Sequence, residues 1–274
     1  MANYLTFDIE EWFRVNYRNC GIPADEPDTH LEPMVETLLE ICGEHDARCT
    51  FFVLGTVAET YPELVRRIHA QGHEIASHGY SHRTLLAMTE AEFREDTRQA
   101  LDLLQSTIGA PVLGYRAPSF SVSAGNAARY YRVLAELGFR YSSSVFPGKT
   151  FLYGIPGFPH QPHRPAIDGE QMSILEFPIS RIDLLSWRIP LYLRLFPATV
   201  LRDVIRRRNR KGESVMLYLH PREIDPEQPR LNLPPAQSII HYWGIRGCKT
   251  KLRRLLASRP PLSRICDTPD LCVG

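Results

Sequence analysis

The chain has 274 residues, 43% of them hydrophobic, enough to bury one sizeable core with at most a small appendage. Lys and Arg total 32 against 31 Asp and Glu, and a formal net charge of +1 excludes nucleic acid as the bulk partner on electrostatic grounds. Six scattered cysteines (Cys20, Cys42, Cys49, Cys248, Cys266, Cys272) form no C-x-x-C pair, which excludes a zinc knuckle or thioredoxin-like motif and points to a reduced compartment.

The first predicted element is an apolar strand at residues 3–7. It opens without the charged segment, apolar core and cleavage site of a secretory signal, and no apolar run approaches the roughly 20 residues of a membrane span, so a cytoplasmic location is expected. The strand runs straight into three carboxylates in Thr6-Phe7-Asp8-Ile9-Glu10-Glu11-Trp12. Alternating side chains put Asp8 and Glu10 on one side of a strand end, where they repel and desolvate each other unless a cation or an arginine sits between them. A solvated acidic loop is the plain alternative.

A helix is predicted at 32–44, a strand at 48–54, a helix at 57–70 and a strand at 73–76. Directly after that strand comes His78-Gly79-Tyr80-Ser81-His82. Two histidines four apart face one metal if the segment makes a helical turn, and neutral imidazole is a favoured zinc ligand. Taken alone, the pair reads more plainly as surface histidine. The motif lacks the glutamate of H-E-x-x-H, so a base must come from elsewhere.

The helix at 89–108 has a start signal, Thr89 with Glu92 as a capping box. Gly72, Gly109, Gly138 and Gly212 each fall just past a periodic run, where a left-handed residue ends a helix. The strand at 112–116 leads into Gly114-Tyr115-Arg116-Ala117-Pro118-Ser119-Phe120. An arginine there can hold a carboxylate by paired hydrogen bonds, or serve only as a rim salt bridge.

A helix at 125–137 and strands at 140–143 and 174–179 follow, with a long loop at 146–170 that holds Pro147, Pro156, Pro159, Pro162 and Pro165. The helix at 191–209 ends in Arg206-Arg207-Arg208 and belongs to the segment opening at Ile189-Pro190. It reads as a packing helix with a solvated basic end, set against a peripheral contact with an anionic membrane surface bearing a lipid-linked glycan. The strand at 214–219 ends in His220, which in isolation is a satisfied rim residue. Residues 221–248, with Pro226, Pro229, Pro234 and Pro235, form a second irregular stretch before a closing basic helix at 249–257.

Seven strands alternating with helices indicate an α/β fold and suffice to curl into a barrel. All four motifs fall at C-terminal ends of strands, the face where α/β barrels gather catalytic residues. Together they supply metal ligands, a base, a group to orient it and an acid, the requirements of metal-assisted hydrolysis of an amide or ester.

T-F-D-x-E, H-G-Y-S-H, Y-R-A-P-S-F and L-Y-L-H, in this order over roughly residues 3–220, resemble the polysaccharide deacetylase family, the NodB-homology enzymes. Tyr153-Gly154-Ile155-Pro156, the stretch from His220 to Arg230, and His241-Tyr242-Trp243 look like the subgroup associated with exopolysaccharide clusters and exosortase systems. The resemblance implies a distorted (β/α)7 barrel at 1–220 with an irregular C-terminal extension at 221–274 packed on it. It implies Asp8 as base, Arg116 as the residue orienting that base, and His220 as general acid. His78, His82 and Glu10, or alternatively Glu11, would hold a divalent metal, with zinc expected.

The implied substrate is an N-acetylated glycan, a polysaccharide or its oligosaccharide precursor. Trp12, Tyr80, Phe120 and Tyr153 are candidates to stack on sugar rings, or equally to pack under loops. The chain departs from the family pattern where Ile9 separates two carboxylates that are often adjacent, where Ser142 replaces a frequent aspartate, and where Arg222 replaces a frequent tryptophan. Two other functions fit the motifs: hydrolysis of a small or cyclic amide on the same barrel, and a non-catalytic glycan-binding role in an export system.

Overall fold

The structure is a computed structural model that describes residues 2–14, 29–150, 153–184 and 187–272. Its elements in chain order are β1 (Tyr4–Ile9), α1 (Leu31–Gly43), β2 (Thr50–Val53), α2 (Gly55–Thr60), α3 (Pro62–Ala70), β3 (Glu74–Ser77) and α4 (Glu90–Ile108). Then come β4 (Gly114–Tyr115), α5 (Ala127–Glu136), β5 (Tyr141–Ser142), β6 (Ala166–Ile167), β7 (Glu170–Gln171), β8 (Leu175–Glu176), β9 (Arg181–Leu184) and β10 (Trp187–Pro190). The chain closes with α6 (Ala198–Arg210), β11 (Met216–Leu219), α7 (Pro235–Tyr242), α8 (Ile245–Leu256) and α9 (Pro269–Cys272).

Among the described residues, seven strands form one parallel sheet in the order β11-β1-β2-β3-β4-β5-β8, and these correspond to the seven predicted strands. The sheet curls into a (β/α)7 barrel whose seam is bridged by Ser180, which donates its N–H to the Met216 carbonyl at 3.3 Å while its Oγ accepts the Met216 N–H at 2.9 Å.

Period-two alternation divides each strand between two cores. Leu5, Phe7 and Ile9 of β1, Phe51 and Val53 of β2, and Leu217 and Leu219 of β11 pack outward against the helices. Tyr4, Phe52, Ala76, Tyr141, Met216 and Tyr218 fill the interior with Phe120, Phe146 and Phe177. The same alternation carries Asp8, Glu10, His78, Arg116 and His220 to the inward side at the strands' C-terminal ends. At β4 the sheet requires glycine, since a Cβ on Gly114 would sit 1.9 Å from the ring of Tyr141.

The C-terminal segment plugs the opposite mouth. Ile265 and Leu271 enter the interior cluster, Ile265 N–H donates to Thr50 Oγ1 at 3.0 Å, and Cys266 N–H donates to Glu74 Oε2 at 3.1 Å.

The predicted helix signals hold at α4, where Glu92 N–H donates to Thr89 Oγ1 and Thr89 N–H to Glu92 Oε2, and all four predicted helix-ending glycines have positive φ. Several predicted bounds change. The helix expected at 57–70 is two helices broken at Tyr61, because Pro62 lacks an N–H and drives its predecessor out of the helical region. The helix expected from 191 begins at Ala198 after Pro197 and buries Leu201 and Ile205. The loop expected at 146–170 ends in the small β6–β7 hairpin, and the irregular stretch after 221 contains α7. Cys20 lies outside the described residues.

His73, just before β3, carries a pH prediction. Its Nδ1 accepts the Cys49 N–H at 3.2 Å and its ring lies 4.9 Å from that of Phe51, so the folded chain holds it neutral. Burial, reinforced by Arg48 and Arg264, pushes its pKa down to about 4. The unfolded imidazole titrates near 6.5, so between about 6.5 and 4 the unfolded state binds the extra proton. The contribution, at most about 3 kcal/mol, is complete above pH 6.5 and lost as pH falls toward 4. The thermal midpoint is therefore expected to drop through that window, and His73→Gln to flatten the drop; an unchanged acid limb in the variant refutes the assignment.

Candidate active site at the strand C-termini

At the end of β1 the chain remains buried, with Asp8 and Glu10 only 1% and 2% exposed, so both carboxylates need partners. Asp8 Oδ1 accepts from Arg116 Nη1 at 2.5 Å. Arg116 is fully buried and uses its whole fork: Nη1 also reaches Thr6 Oγ1 at 2.9 Å, Nε the Ser143 carbonyl at 2.9 Å, and Nη2 Ser143 Oγ at 2.8 Å. The guanidinium lies over the Phe52 ring at 3.9 Å. Asp8 is thus held through one oxygen, while Oδ2 faces His220 Nε2 at 3.8 Å.

Glu10 shows the opposite arrangement. Its Oε1 accepts from Arg222 Nη1 and lies 3.5 Å from His220 Nε2. Its Oε2 is buried, accepts no hydrogen bond, and lies 2.7 Å from His82 Nε2 and 3.7 Å from His78 Nε2. Burial alone would raise the Glu10 carboxyl, but His82, Arg222, His220 and His78 together hold it well below the usual carboxylate range. Glu11 instead takes Arg14 Nε at 3.1 Å, so among the described residues Glu10 joins the two histidines.

His78 Nδ1 donates to the Arg116 carbonyl at 2.9 Å. A carbonyl can only accept, so this bond fixes the tautomer and leaves the Nε2 lone pair directed at Glu10 Oε2. The His78–His82 segment is not a helical turn, yet both histidines still face Glu10. Gly79 and His82 both have positive φ, 78° and 57°, and Asp96 of α4 accepts from Tyr80 N–H at 2.8 Å and from Ser81 Oγ. Left-handed backbone at a histidine is uncommon and persists where the surroundings impose it.

Three donor atoms that converge on one another, one of them a buried carboxylate oxygen that accepts no hydrogen bond, suit a cation site. Ligand bonds of about 2.0–2.2 Å span donor atoms up to about 4.2 Å apart, and the separations from Glu10 Oε2 meet that limit. The mixed oxygen and nitrogen set suits zinc and several other divalent metals.

The four aromatic candidates divide. Phe120 and Tyr153 lie together, ring centroids 5.2 Å apart, beside Tyr218 and Tyr192; the Tyr153 hydroxyl meets that of Tyr192 at 2.7 Å. Tyr218 is in turn 5.8 Å from the His220 ring. Tyr80 turns to α2, donating to Glu59 at 2.8 Å, and Trp12 packs with Phe13, Leu231 and Leu233 in a separate cluster. Sequence reasoning assigned no role to Asp96, Tyr192, Arg194 or Glu223, and left Arg222 as a departure; Glu223, three residues after His220, carried a usable capping-type signal.

Residues 3–142 match the polysaccharide deacetylase family, and residues 143–261 match a Domain of unknown function (DUF3473). The chain is 35% identical over 85 residues to a peptidoglycan-N-acetylglucosamine deacetylase of Bacillus cereus, covering 31% of this chain and 30% of that protein. It is 33% identical over 103 residues to a chitooligosaccharide deacetylase of a Bradyrhizobium species, 38% of each protein. The chain thus spans about a third of the length of these curated relatives. A crystal structure of a candidate polysaccharide deacetylase from Mycobacterium smegmatis superposes with a TM-score of 0.61 at 23% identity, covering 98% of this chain and 85% of that one, which shows a shared fold.

Proposed function

The chain belongs to the polysaccharide deacetylase family, and from that premise we propose that it hydrolyses N-acetyl groups on a glycan. The observation that carries this reading is the pairing, at one barrel mouth, of a convergent Glu10-His78-His82 donor set, whose Glu10 Oε2 accepts no hydrogen bond, with an Asp8 held by Arg116 and faced by His220.

Glu10, His78 and His82 would hold a divalent cation, which would supply Lewis acidity toward an acetamide carbonyl and lower the pKa of water. Asp8, oriented by Arg116, accepts the proton of the attacking water through Oδ2. Arg222 occupies Glu10 Oε1 and so leaves Oε2 to face the histidines. His220 donates from Nε2 to the departing nitrogen as the C–N bond breaks, giving acetate and a free amino sugar.

Phe120 and Tyr153, with Tyr192 and Tyr218, form an apolar aromatic wall beside His220 suited to the acetyl group or a sugar face. An exopolysaccharide or its oligosaccharide precursor is the favoured substrate, on the likeness of the segments around Tyr153, His220–Arg230 and His241–Trp243 to the exopolysaccharide-associated subgroup.

The test is acetate release from N-acetylglucosamine oligomers and crude exopolysaccharide after chelation and after metal is restored. Release that vanishes on chelation and returns with zinc is expected. Metal binding without release from any N-acetylated glycan overturns the glycan reading, and no metal binding overturns the hydrolytic one.

A further inference from the structure

Amide hydrolysis requires a proton on the departing nitrogen, so the group that delivers it must be held in place. His220 sits where β11 ends and the chain turns through a short 3-10 segment, Pro221–Ile224. That turn brings Glu223 back onto the histidine. Glu223 Oε2 accepts the His220 backbone N–H at 3.0 Å and faces the ring Nδ1 at 3.4 Å. Its other oxygen, Oε1, accepts Arg194 Nε at 2.5 Å, and Arg194 Nη1 reaches the Trp243 carbonyl at 3.1 Å.

Glu223 is 5% exposed, so its carboxylate is largely shielded from solvent. Burial would raise the Glu223 carboxyl, but His220, Arg194 and Arg222 outweigh it and keep the group ionised. With Oε2 as acceptor, Nδ1 carries its proton toward Glu223 and Nε2 points into the site, 3.8 Å from Asp8 Oδ2 and 3.5 Å from Glu10 Oε1.

Ser142 offers no such service. Its hydroxyl is engaged with Tyr130 at 2.8 Å and Ser144 at 3.0 Å, and no carboxylate stands at that position.

We propose that Glu223, clamped by Arg194, is the positioning residue for His220, orienting its ring so that Nε2 delivers the proton to the leaving amine. The assignment rests on the deacetylase reading. In the step concerned the C–N bond breaks, its electron pair goes to nitrogen, and nitrogen takes the Nε2 proton; the water proton has gone to Asp8.

A leaving group that needs no proton isolates this role. Glu223→Gln, Arg194→Lys and the parent chain, each checked for zinc content and thermal midpoint, are assayed on N-acetylglucosamine oligomers and on an aryl acetate ester, whose phenolate departs unprotonated. Glu223→Gln is expected to lower kcat on the amide by about 10²-fold with KM little changed, and on the ester at least tenfold less. Arg194→Lys keeps the charge but not the fork, and a smaller loss with the same amide preference is expected. In a His220→Gln background, Glu223→Gln should cost the amide reaction nothing further.

Equal losses on both substrates, in either variant, make Glu223 a structural residue only and overturn the assignment, as does an additive loss in the His220→Gln background. A parent chain that cleaves the ester but no N-acetylated glycan overturns the deacetylase reading itself, a result distinguishable from either.

Discussion

Asp8→Asn is expected to lower acetate release by roughly 10²–10⁴-fold while the chain stays folded and still takes up metal. The amide has the size of the carboxylate and its Oδ1 still accepts from Arg116, so the buried network keeps its main bond. It cannot accept a proton from water, which is the one function the variant removes. The donor set of Glu10, His78 and His82 is untouched, so zinc content should match the parent. Steady-state kinetics on N-acetylglucosamine oligomers, with metal content measured on the same preparation, decides the matter. Undiminished kcat would assign the base elsewhere.

Arg116→Met is expected to lower stability by about 3–5 kcal/mol, because it strands a buried charge. Methionine approximates the volume of the aliphatic stem, so the loss falls on Asp8, Thr6 and Ser143, which surrender their shared donor. The cation over Phe52 goes as well. If the ionised Asp8 is the chief cost, adding Asp8→Asn to Arg116→Met should restore part of the stability, since the amide tolerates the dry site better than the charge. Denaturant midpoints of the four chains complete the cycle. Strictly additive losses would show that Arg116 stabilises the barrel through its other partners and does not hold the base.

Much of this arrangement is visible before any fold is known. The seven strands announce themselves by β-branched and aromatic runs between helical periods, and the motifs sit at their ends. Period-two alternation already places Asp8 beside Glu10, and the structure keeps both on the inward face. The capping box at Thr89 is equally local, as its reciprocal bonds need only three residues of spacing.

What spacing left open depended on neighbours far along the chain. A helical turn was one way for His78 and His82 to face one metal, but Asp96 from α4 captures the intervening backbone and side chain and the loop takes left-handed dihedrals instead. Tyr80 is aromatic and sits between the two histidines, and its ring lies against Gly55 while its hydroxyl reaches Glu59, a contact with α2 that spacing does not reveal.

The sequence by itself determined the fold class, the strand order of the motifs and the chemical types gathered at the barrel mouth, because those follow from local periodicity and from residues only a few positions apart. The tertiary structure alone decided which carboxylate faces the histidines, since Glu10 and Glu11 differ only in the partners that reach them, Arg222 from 212 residues away and Arg14 from three. It alone brought Arg194 onto Glu223, 29 residues apart, and Arg116 onto Asp8, 108 apart. Such pairs are set by barrel closure, and in a buried, low-dielectric interior each charge must find the one partner that closure supplies.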